Sequence, residues 1–174
     1  AMHLALNYRQ KPIIGVVLIP EKDELWIACG KKIWFETRND YIKKQKTSDA
    51  KILQEMTLVT SKNHRNEKLK DLINKINFKK INVMGSIGCK VASIIRGDSD
   101  IYISLTLPGN SAPKDWDYAA PEAILKAAGG SITNIDGEDL LYGSTNLQHP
   151  GIIIASKSKN NDHKNICSQI KACL

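Results

Sequence analysis

The 174-residue sequence has few aromatic residues and few cysteines, and it contains no long hydrophobic run. Aromatic residues make up 6% of the chain, so the stacking platforms that bind single-stranded nucleic acid are poorly supplied. No apolar stretch approaches the roughly 18 to 20 residues that cross a bilayer, which argues against a membrane-spanning helix. The amino terminus lacks the basic region, apolar stretch and cleavage site of a secretory signal, so we expect a cytoplasmic protein.

Several motifs that carry metal or nucleophile chemistry are also missing. The four cysteines have no C-x-x-C spacing, which argues against a zinc or redox centre and predicts reduced, mostly buried thiols. The chain has no H-E-x-x-H or G-x-S-x-G motif, so zinc protease and serine hydrolase readings are excluded. A phosphate-binding loop with a G-K-[ST] ending is absent as well, which disfavours an ATP-hydrolysing P-loop.

The remaining composition is that of a globular protein, with 42% hydrophobic and 25% charged residues. We interpret the chain as a single unit, which is long enough for one domain or for one lobe of a larger protein. The formal charge of +7 suggests affinity for anions, either nucleic acid or phosphorylated metabolites, or simply a lysine-rich surface. Nucleic acid is the weakest of these interpretations, since only the lysines support it, and it predicts binding that depends steeply on salt.

Segments with strand and helix patterns alternate along the chain and predict an α/β fold, a mixed β-sheet with helices packed on it. A β meander is expected over 13–35, and residues 37–50 are expected to form a surface connection. A hairpin-like segment is expected around Asp136-Gly137. Further strands are predicted at 56–60, 81–83, 101–105 and 151–155, and helices at 66–76, after 85–90, after 117 and at 165–174.

Two segments lie where a predicted strand passes into a helix. Ser61 to His64 combines backbone N–H groups with an imidazole that could meet a phosphate or a base, although a helix cap with a surface histidine explains it equally well. Gly85 to Lys90 offers two glycines, the Ser86 hydroxyl and a lysine charge. An ordinary strand-to-helix turn would have the same composition, so the function of this segment stays open on local grounds.

A third segment, Lys114 to Gly130, places an acidic residue at the mouth of a helix. Pro121 favours the first turn of a helix, which predicts that Asp117 lies at or just before the amino-terminal end. A carboxylate held there can cap the helix, bind a metal ion, or hold a phosphate through a metal ion.

These segments together resemble the inositol monophosphatase superfamily, and in particular its 3'(2'),5'-bisphosphate nucleotidase branch. The resemblance is to the carboxy-terminal portion of the family and covers nearly the whole chain. The matching elements, in chain order, are the run Ile13–Pro20, Ser61–His64, Gly85–Lys90, Gly97, the Pro108-Gly109 loop, Lys114, Trp116-Asp117, Ala120-Pro121-Glu122, Ile124-Leu125 and Gly129-Gly130.

The resemblance implies a layered sugar-phosphatase fold and Mg²⁺-dependent hydrolysis of adenosine 3',5'-bisphosphate to AMP, with a sulfated relative of that nucleotide as a second substrate. It makes Asp117 a metal ligand, and it places five residues in the nucleotide pocket: Ser61, His64, Gly85, Ser86 and Lys90. A non-catalytic nucleotide-binding module and an inositol monophosphatase-type phosphatase are the alternatives that it leaves open.

The family's other metal ligands belong to G-E-E and D-P-[IL]-D-G-T segments, and this sequence has neither. One carboxylate makes a weak Mg²⁺ site, because this ion normally also needs further carboxylates or substrate phosphates. We therefore expect the isolated chain to be inactive or nearly so. We also expect an exposed apolar face where the missing lobe would pack, through which the chain could form a homodimer.

Overall fold

The computed structural model describes residues 1–38, 47–50, 52–62, 66–159 and 162–174, and its first four strands form one antiparallel sheet. The strands β1 (Met2–Tyr8), β2 (Lys11–Ile19), β3 (Glu24–Cys29) and β4 (Lys32–Glu36) pair in chain order. The predicted meander is confirmed as β2 to β4. The sequence analysis missed β1, although its large apolar residues recur at every second position, which is the signal of a strand.

The second sheet has five strands: β5 (Thr57–Ser61), β6 (Lys80–Met84), β7 (Ile101–Thr106), β8 (Ser131–Asn134) and β9 (Gly151–Ser156). Their order across the sheet is β6-β5-β7-β9-β8. β5 runs parallel to β6 and β7, whereas β9 runs antiparallel to β7 and β8, so this is the mixed sheet that was predicted. The expected hairpin-like segment around Asp136-Gly137 follows β8: the Gly137 N–H donates to the Asn134 carbonyl, and Thr133 pairs with Asp139 in an antiparallel bridge.

In the described ranges four helices complete the layers: α1 (Glu67–Ile76), α2 (Ile87–Arg96), α3 (Asp115–Ala127) and α4 (His163–Lys171). Apolar residues of α2 and α3 form one core with the inner face of the first sheet and the near face of the second. Residues of α1 and α4 form another core on the far face of the second sheet. The α/β class with helices packed on a mixed sheet is therefore confirmed. Among the residues described, no helix has the length and apolar character that a bilayer crossing requires.

The first sheet is fixed to α2 and α3 by close packing and by a buried ion pair. A Cβ atom at Gly15 would lie 2.6 Å from the Cβ of Ala123, so a residue without a side chain is needed where β2 meets α3. The Arg96 guanidinium of α2 donates to the Glu24 carboxylate of β3 at 2.6 Å, and both side chains are buried. The helices therefore take their positions from the first sheet.

The opposite side of the first sheet, which we call the outer face, is apolar and exposed. Three rows of cross-strand neighbours cover it: Met2–Leu18–Leu25, Leu4–Val16–Ile27–Trp34 and Leu6–Ile14–Cys29. Leu4 is 70% exposed, and Met2, Leu6 and Trp34 are also largely exposed. A sheet whose strands are apolar on both faces is normally covered on both, so the outer face is a surface that another element can bury.

Three sequence predictions need correction or fall outside the description. The helix α3 begins at Asp115, so Asp117 is its third residue rather than its cap, and Pro121 lies in the helix interior instead of the first turn. Of the four free cysteines only Cys167 is buried, whereas Cys29 is exposed and the other two are partly exposed. Most of the predicted surface connection at 37–50 lies outside the described residues.

Candidate active site

A cleft of about 720 Å³ lies at the amino-terminal ends of α2 and α3. Its walls come from β1, the end of β5, the turn into α2, β7 and the segment that leads into α3. Five of the six site residues predicted from the sequence line this one cleft: Ser61, Gly85, Ser86, Lys90 and Asp117. The sixth, His64, lies outside the described residues.

The turn Gly85–Lys90 gives the cleft its positive side. Ser86 is the N-cap residue of α2, and by helix geometry the N–H groups of the next three residues have no partner within the helix. Lys90 lies one turn further along and is 1% exposed, with its ammonium donating to the Gly85 carbonyl at 2.9 Å. The same ammonium lies 5.4 Å from the centroid of the Tyr102 ring. Helix amides and a buried cation together suit an anionic group.

Burial lowers the pKa of Lys90 to about 8, and the charges of Cys89 and Asp117 act against that shift. Most Lys90 side chains are therefore still protonated at pH 7. A bound anion would stabilise the charged form further, because in the described part of the chain the ammonium donates to the Gly85 carbonyl and has the capacity for two more hydrogen bonds.

Asp117 approaches the cleft from the first turn of α3. Its carboxylate accepts the N–H of Lys114 at 2.8 Å, which is the reciprocal half of a capping box and holds the side chain in place. Trp116, next to it, is 59% exposed at the rim, and the Lys114 ammonium lies 5.3 Å from its ring centroid. The start of α3 thus presents one fixed carboxylate to the cleft.

Two hydroxyl groups on β7, those of Tyr102 and Ser104, line the wall between these helix ends. The buried Tyr118 hydroxyl joins them, with 2.9 Å to the Ser104 oxygen and 3.3 Å to the Tyr102 oxygen. Burial raises the pKa of both tyrosines, so they remain neutral hydroxyls. The sequence analysis did not single out these residues, although a Tyr-x-Ser pair on an otherwise apolar strand is a visible signal.

His3 is a further lining residue that the sequence analysis missed. It lies on the inner face of β1, where its Nδ1 is 3.3 Å from the Trp116 carbonyl oxygen and its Nε2 is 3.3 Å from the Ser86 hydroxyl oxygen. Burial lowers the pKa of His3, which favours the neutral ring. Its place in the cleft depends on the pairing of β1 with β2, which no local motif encodes.

A buried network behind the cleft fixes the start of α3. The Asp115 carboxylate contacts His149 Nε2 at 2.9 Å and accepts the Gly143 N–H at 2.6 Å. The Tyr142 hydroxyl donates to Glu122 at 2.5 Å. Burial lowers the pKa of His149, while Asp115 acts in the opposite direction. These contacts tie residues 142–149 to α3 and so position Asp117 indirectly.

The described residues do not assemble a complete metal site. In the described part of the chain, no group of three or more histidine, cysteine, aspartate or glutamate side chains is placed to hold an ion. Asp117 can supply one ligand. The cleft as described can therefore bind an anion and offer one carboxylate to a metal ion that other groups also hold.

Comparison with known proteins gives a family match along almost the whole chain. The model of the inositol monophosphatase family matches residues 1–173. The chain is 36% identical over 131 residues to the 3'(2'),5'-bisphosphate nucleotidase CysQ of Buchnera aphidicola, a match that covers 75% of this chain and 46% of the relative. It is 26% identical over 154 residues to the 3'(2'),5'-bisphosphate nucleotidase 1 of Dictyostelium discoideum, covering 81% and 47% of the two chains.

Solved structures show the same fold. Staphylococcal IMPase-II superposes with a TM-score of 0.73 at 19% sequence identity, over 98% of this chain and 60% of the other. The chain spans about half the length of the two curated relatives named above. Its two sheets and four helices form part of the layered α/β fold of those structures.

Proposed function

Because this chain belongs to the inositol monophosphatase family, we propose that its cleft binds the phosphorylated nucleotide of a 3'(2'),5'-bisphosphate nucleotidase. The reaction would release phosphate from adenosine 3',5'-bisphosphate and leave AMP. One observation carries the proposal, namely that the first turn of α2, the Lys90 ammonium and the Asp117 carboxylate face a single cleft. The names of the two curated relatives support the choice of substrate.

Different residues of the cleft would bind different parts of the nucleotide. The Lys90 charge and the first-turn amides of α2 attract a phosphate group, and the fixed geometry of the helix end orients it. Ser61 and Ser86 add hydroxyl groups on the same wall, where the Ser61 hydroxyl can donate to or accept from the ligand and the Ser86 oxygen can accept from it. Tyr102 and Ser104 line the side that faces Asp117 and can contact a sugar hydroxyl.

Enzymes of this family are metal-dependent phosphatases. We propose Mg²⁺ as the metal and Asp117 as one of its ligands. Among the described residues Asp117 is the one carboxylate that lines the cleft, and no group of three or more ligating side chains forms there, so the site is not complete within them. The remaining ligands would come from outside the described residues, and the 174-residue chain alone is expected to bind nucleotide without hydrolysing it.

A binding measurement tests the pocket. We expect calorimetry at pH 7 to show that adenosine 3',5'-bisphosphate binds the chain, and that Lys90→Met weakens binding by about tenfold or more through loss of a buried charge. Lys75→Met is the matched control, because Lys75 is an exposed lysine on α1. Equal losses in the two variants, or no binding by the wild-type chain, would contradict the proposal.

Phosphate release in the presence of Mg²⁺ tests the enzyme assignment. We expect no phosphate release from the chain alone. A polypeptide with the full length of the relatives should release phosphate, and Asp117→Asn should abolish that release. Release from the chain alone that Asp117→Asn abolishes would show that its metal site is completed within the chain or by a second copy. Full-length activity that survives Asp117→Asn would exclude Asp117 as a required ligand.

A non-catalytic nucleotide-binding module is the second candidate, and the single carboxylate in the cleft favours it. It predicts the same nucleotide binding but no Mg²⁺-dependent turnover even at full length. Competition with inositol monophosphate in the binding assay separates a third candidate, an inositol monophosphatase-type enzyme. Displacement of the nucleotide at comparable concentrations would favour that enzyme.

A further inference from the structure

His3 lies where β1 meets both helices that line the cleft. Its ring contacts the Ser86 hydroxyl at the start of α2 and the Trp116 carbonyl at the start of α3. Gly88 makes room for it, since a Cβ atom at that position would lie 2.3 Å from His3 Nε2. The imidazole therefore occupies space that the helix leaves open.

The hydrogen-bond chemistry of these contacts has only one arrangement for a neutral ring. A carbonyl oxygen can only accept, so Nδ1 of His3 must carry the hydrogen that is donated to Trp116. Nε2 is then an acceptor, and the Ser86 hydroxyl must donate to it. The Ser86 hydrogen is thereby committed to the imidazole.

The Ser86 oxygen keeps two lone pairs, so the turning of its side chain towards His3, and not the loss of its hydrogen, decides whether it caps its own helix. A serine at the N-cap usually accepts an N–H from the second or third residue of the helix. In the gap-free range 66–159, Ser86 caps α2 by its backbone position but its side chain makes no such bond. The amides of Gly88 and Cys89 are consequently not taken by the serine oxygen, and they are the amides that a ligand at a helix end uses.

We propose that His3 is a positioning residue that holds the Ser86 hydroxyl away from the cap of α2 and so keeps the first-turn amides available to an anionic ligand. The inference rests on the proposed function, because it concerns the same cleft. It predicts that removal of the imidazole lets Ser86 turn back and cap its helix. The freed serine then competes with the ligand for the same N–H groups.

A double-mutant cycle on phosphate binding tests the inference. The affinity of the chain for inorganic phosphate is measured by NMR titration for wild type, His3→Phe, Ser86→Ala and the double variant. We expect His3→Phe to weaken phosphate binding about fivefold, which corresponds to the free energy of one N-cap hydrogen bond. In the Ser86→Ala background, His3→Phe should cause no further loss of affinity. Losses that multiply in the double variant would overturn the inference, and so would unchanged binding in His3→Phe.

Measurements without ligand separate this inference from the proposed function. Nitrogen chemical shifts of the His3 ring should show the Nδ1–H form, and hydrogen exchange at Gly88 or Cys89 should slow in His3→Phe as Ser86 takes the cap. Gly88→Ala should displace the ring and weaken phosphate binding without altering His3 or Ser86.

If the wild-type chain binds no phosphate, the proposed function fails while the ring form and amide exchange still decide the role of His3. An Nε2–H ring, or unchanged exchange in His3→Phe, would overturn it.

Discussion

The side chain of Lys90 combines burial with a pKa of about 8, so the charge of the cleft changes within an accessible pH range. The protonated form binds an anion, and deprotonation removes the charge. We expect nucleotide affinity to change little from pH 7 to about 8 and then to fall with rising pH, until it has lost about as much as Lys90→Met loses at pH 7. Ligand phosphates are fully ionised over this range, with a second pKa of about 6, so they do not contribute to the fall.

Lys90→Arg is the matched variant for this prediction, because a guanidinium stays protonated up to about pH 12. Calorimetry between pH 7 and 9.5 should give a flat profile for Lys90→Arg, whatever its absolute affinity. Profiles that fall in parallel for the wild type and Lys90→Arg would assign the pH dependence to another group.

His163 predicts a different pH effect, on stability. Its two ring nitrogens each lie 2.7 Å from a hydroxyl oxygen, of Thr133 and of Ser156, and burial lowers the pKa of the ring to about 4. The unfolded chain binds the proton more readily, with a pKa near 6.5. The free energy of unfolding should therefore fall as the pH decreases from about 6.5 towards 4, by up to about 3 kcal/mol from this residue.

Urea unfolding of wild type and His163→Gln between pH 7 and 4.5 measures that contribution. The variant should be less stable at pH 7 and should lose less stability on acidification. Burial also lowers the pKa of His3 and His149, so these residues should still make the free energy of unfolding depend on pH in the His163→Gln variant. Equal slopes for the two proteins would mean that His163 does not titrate differently on folding.

Among the elements, α1 shows how a single residue joins a helix to the sheet. The Asn66 side chain accepts the Leu69 N–H and donates to the Leu105 carbonyl, both at 2.9 Å. Asn66→Ala removes both bonds and should lower the free energy of unfolding by about 1 to 2 kcal/mol. Asn74→Ala, at an exposed interior position of the same helix, should have little effect or stabilise slightly. Denaturant midpoints that shift equally in the two variants would contradict this.

The elements also show how far the sequence predicts the fold. Apolar periodicity located α1, α2 and β2 to β4, because each buries a regular face of its own residues. The start of α3 could not be located in this way. Asp115 is held by Gly143 and His149, 28 and 34 residues further along the chain, and such contacts leave no local pattern. Pro121 therefore suggested a later start than the structure has.

The candidate site was predictable to the extent that it lies in contiguous motifs. Gly85 to Lys90 and Asp117 belong to such motifs, and the cleft includes them. His3, Tyr102 and Ser104 reach it from strands that are brought together by long-range pairing. Sequence alone gave no reason to place β1 beside α2, so His3 could not be assigned to the site. The Tyr-x-Ser pair marks β7 as unusual, but it does not show that this strand borders the cleft.

At the scale of the whole molecule, the outer face decides how the isolated chain behaves in solution. Its middle apolar row crosses all four strands and the other two rows cross three, and β1 forms an edge of the sheet. Exposed apolar sheets with a free edge associate readily. We propose that the 174-residue chain self-associates through this face, to a homodimer or beyond.

Leu4→Glu tests that proposal by placing a charge in the middle row of the face. The change should shift the light-scattering mass of the chain towards the monomer. Leu141→Glu is the matched control, since Leu141 is 57% exposed and belongs to none of the three apolar rows. A wild-type chain that is monomeric in dilute solution, or an equal shift in both variants, would contradict self-association through this surface.

The exposed outer face also affects how fast the protein is degraded in a cell. Chaperones and proteases recognise apolar surface and open sheet edges, and chains that display them are cleared faster. Whatever covers Leu4 and its neighbours would then set the abundance of the protein as well as its architecture. A substitution that weakens the packing over the outer face would then lower the amount of the protein in the cell and so its cellular activity, although the cleft itself is unchanged.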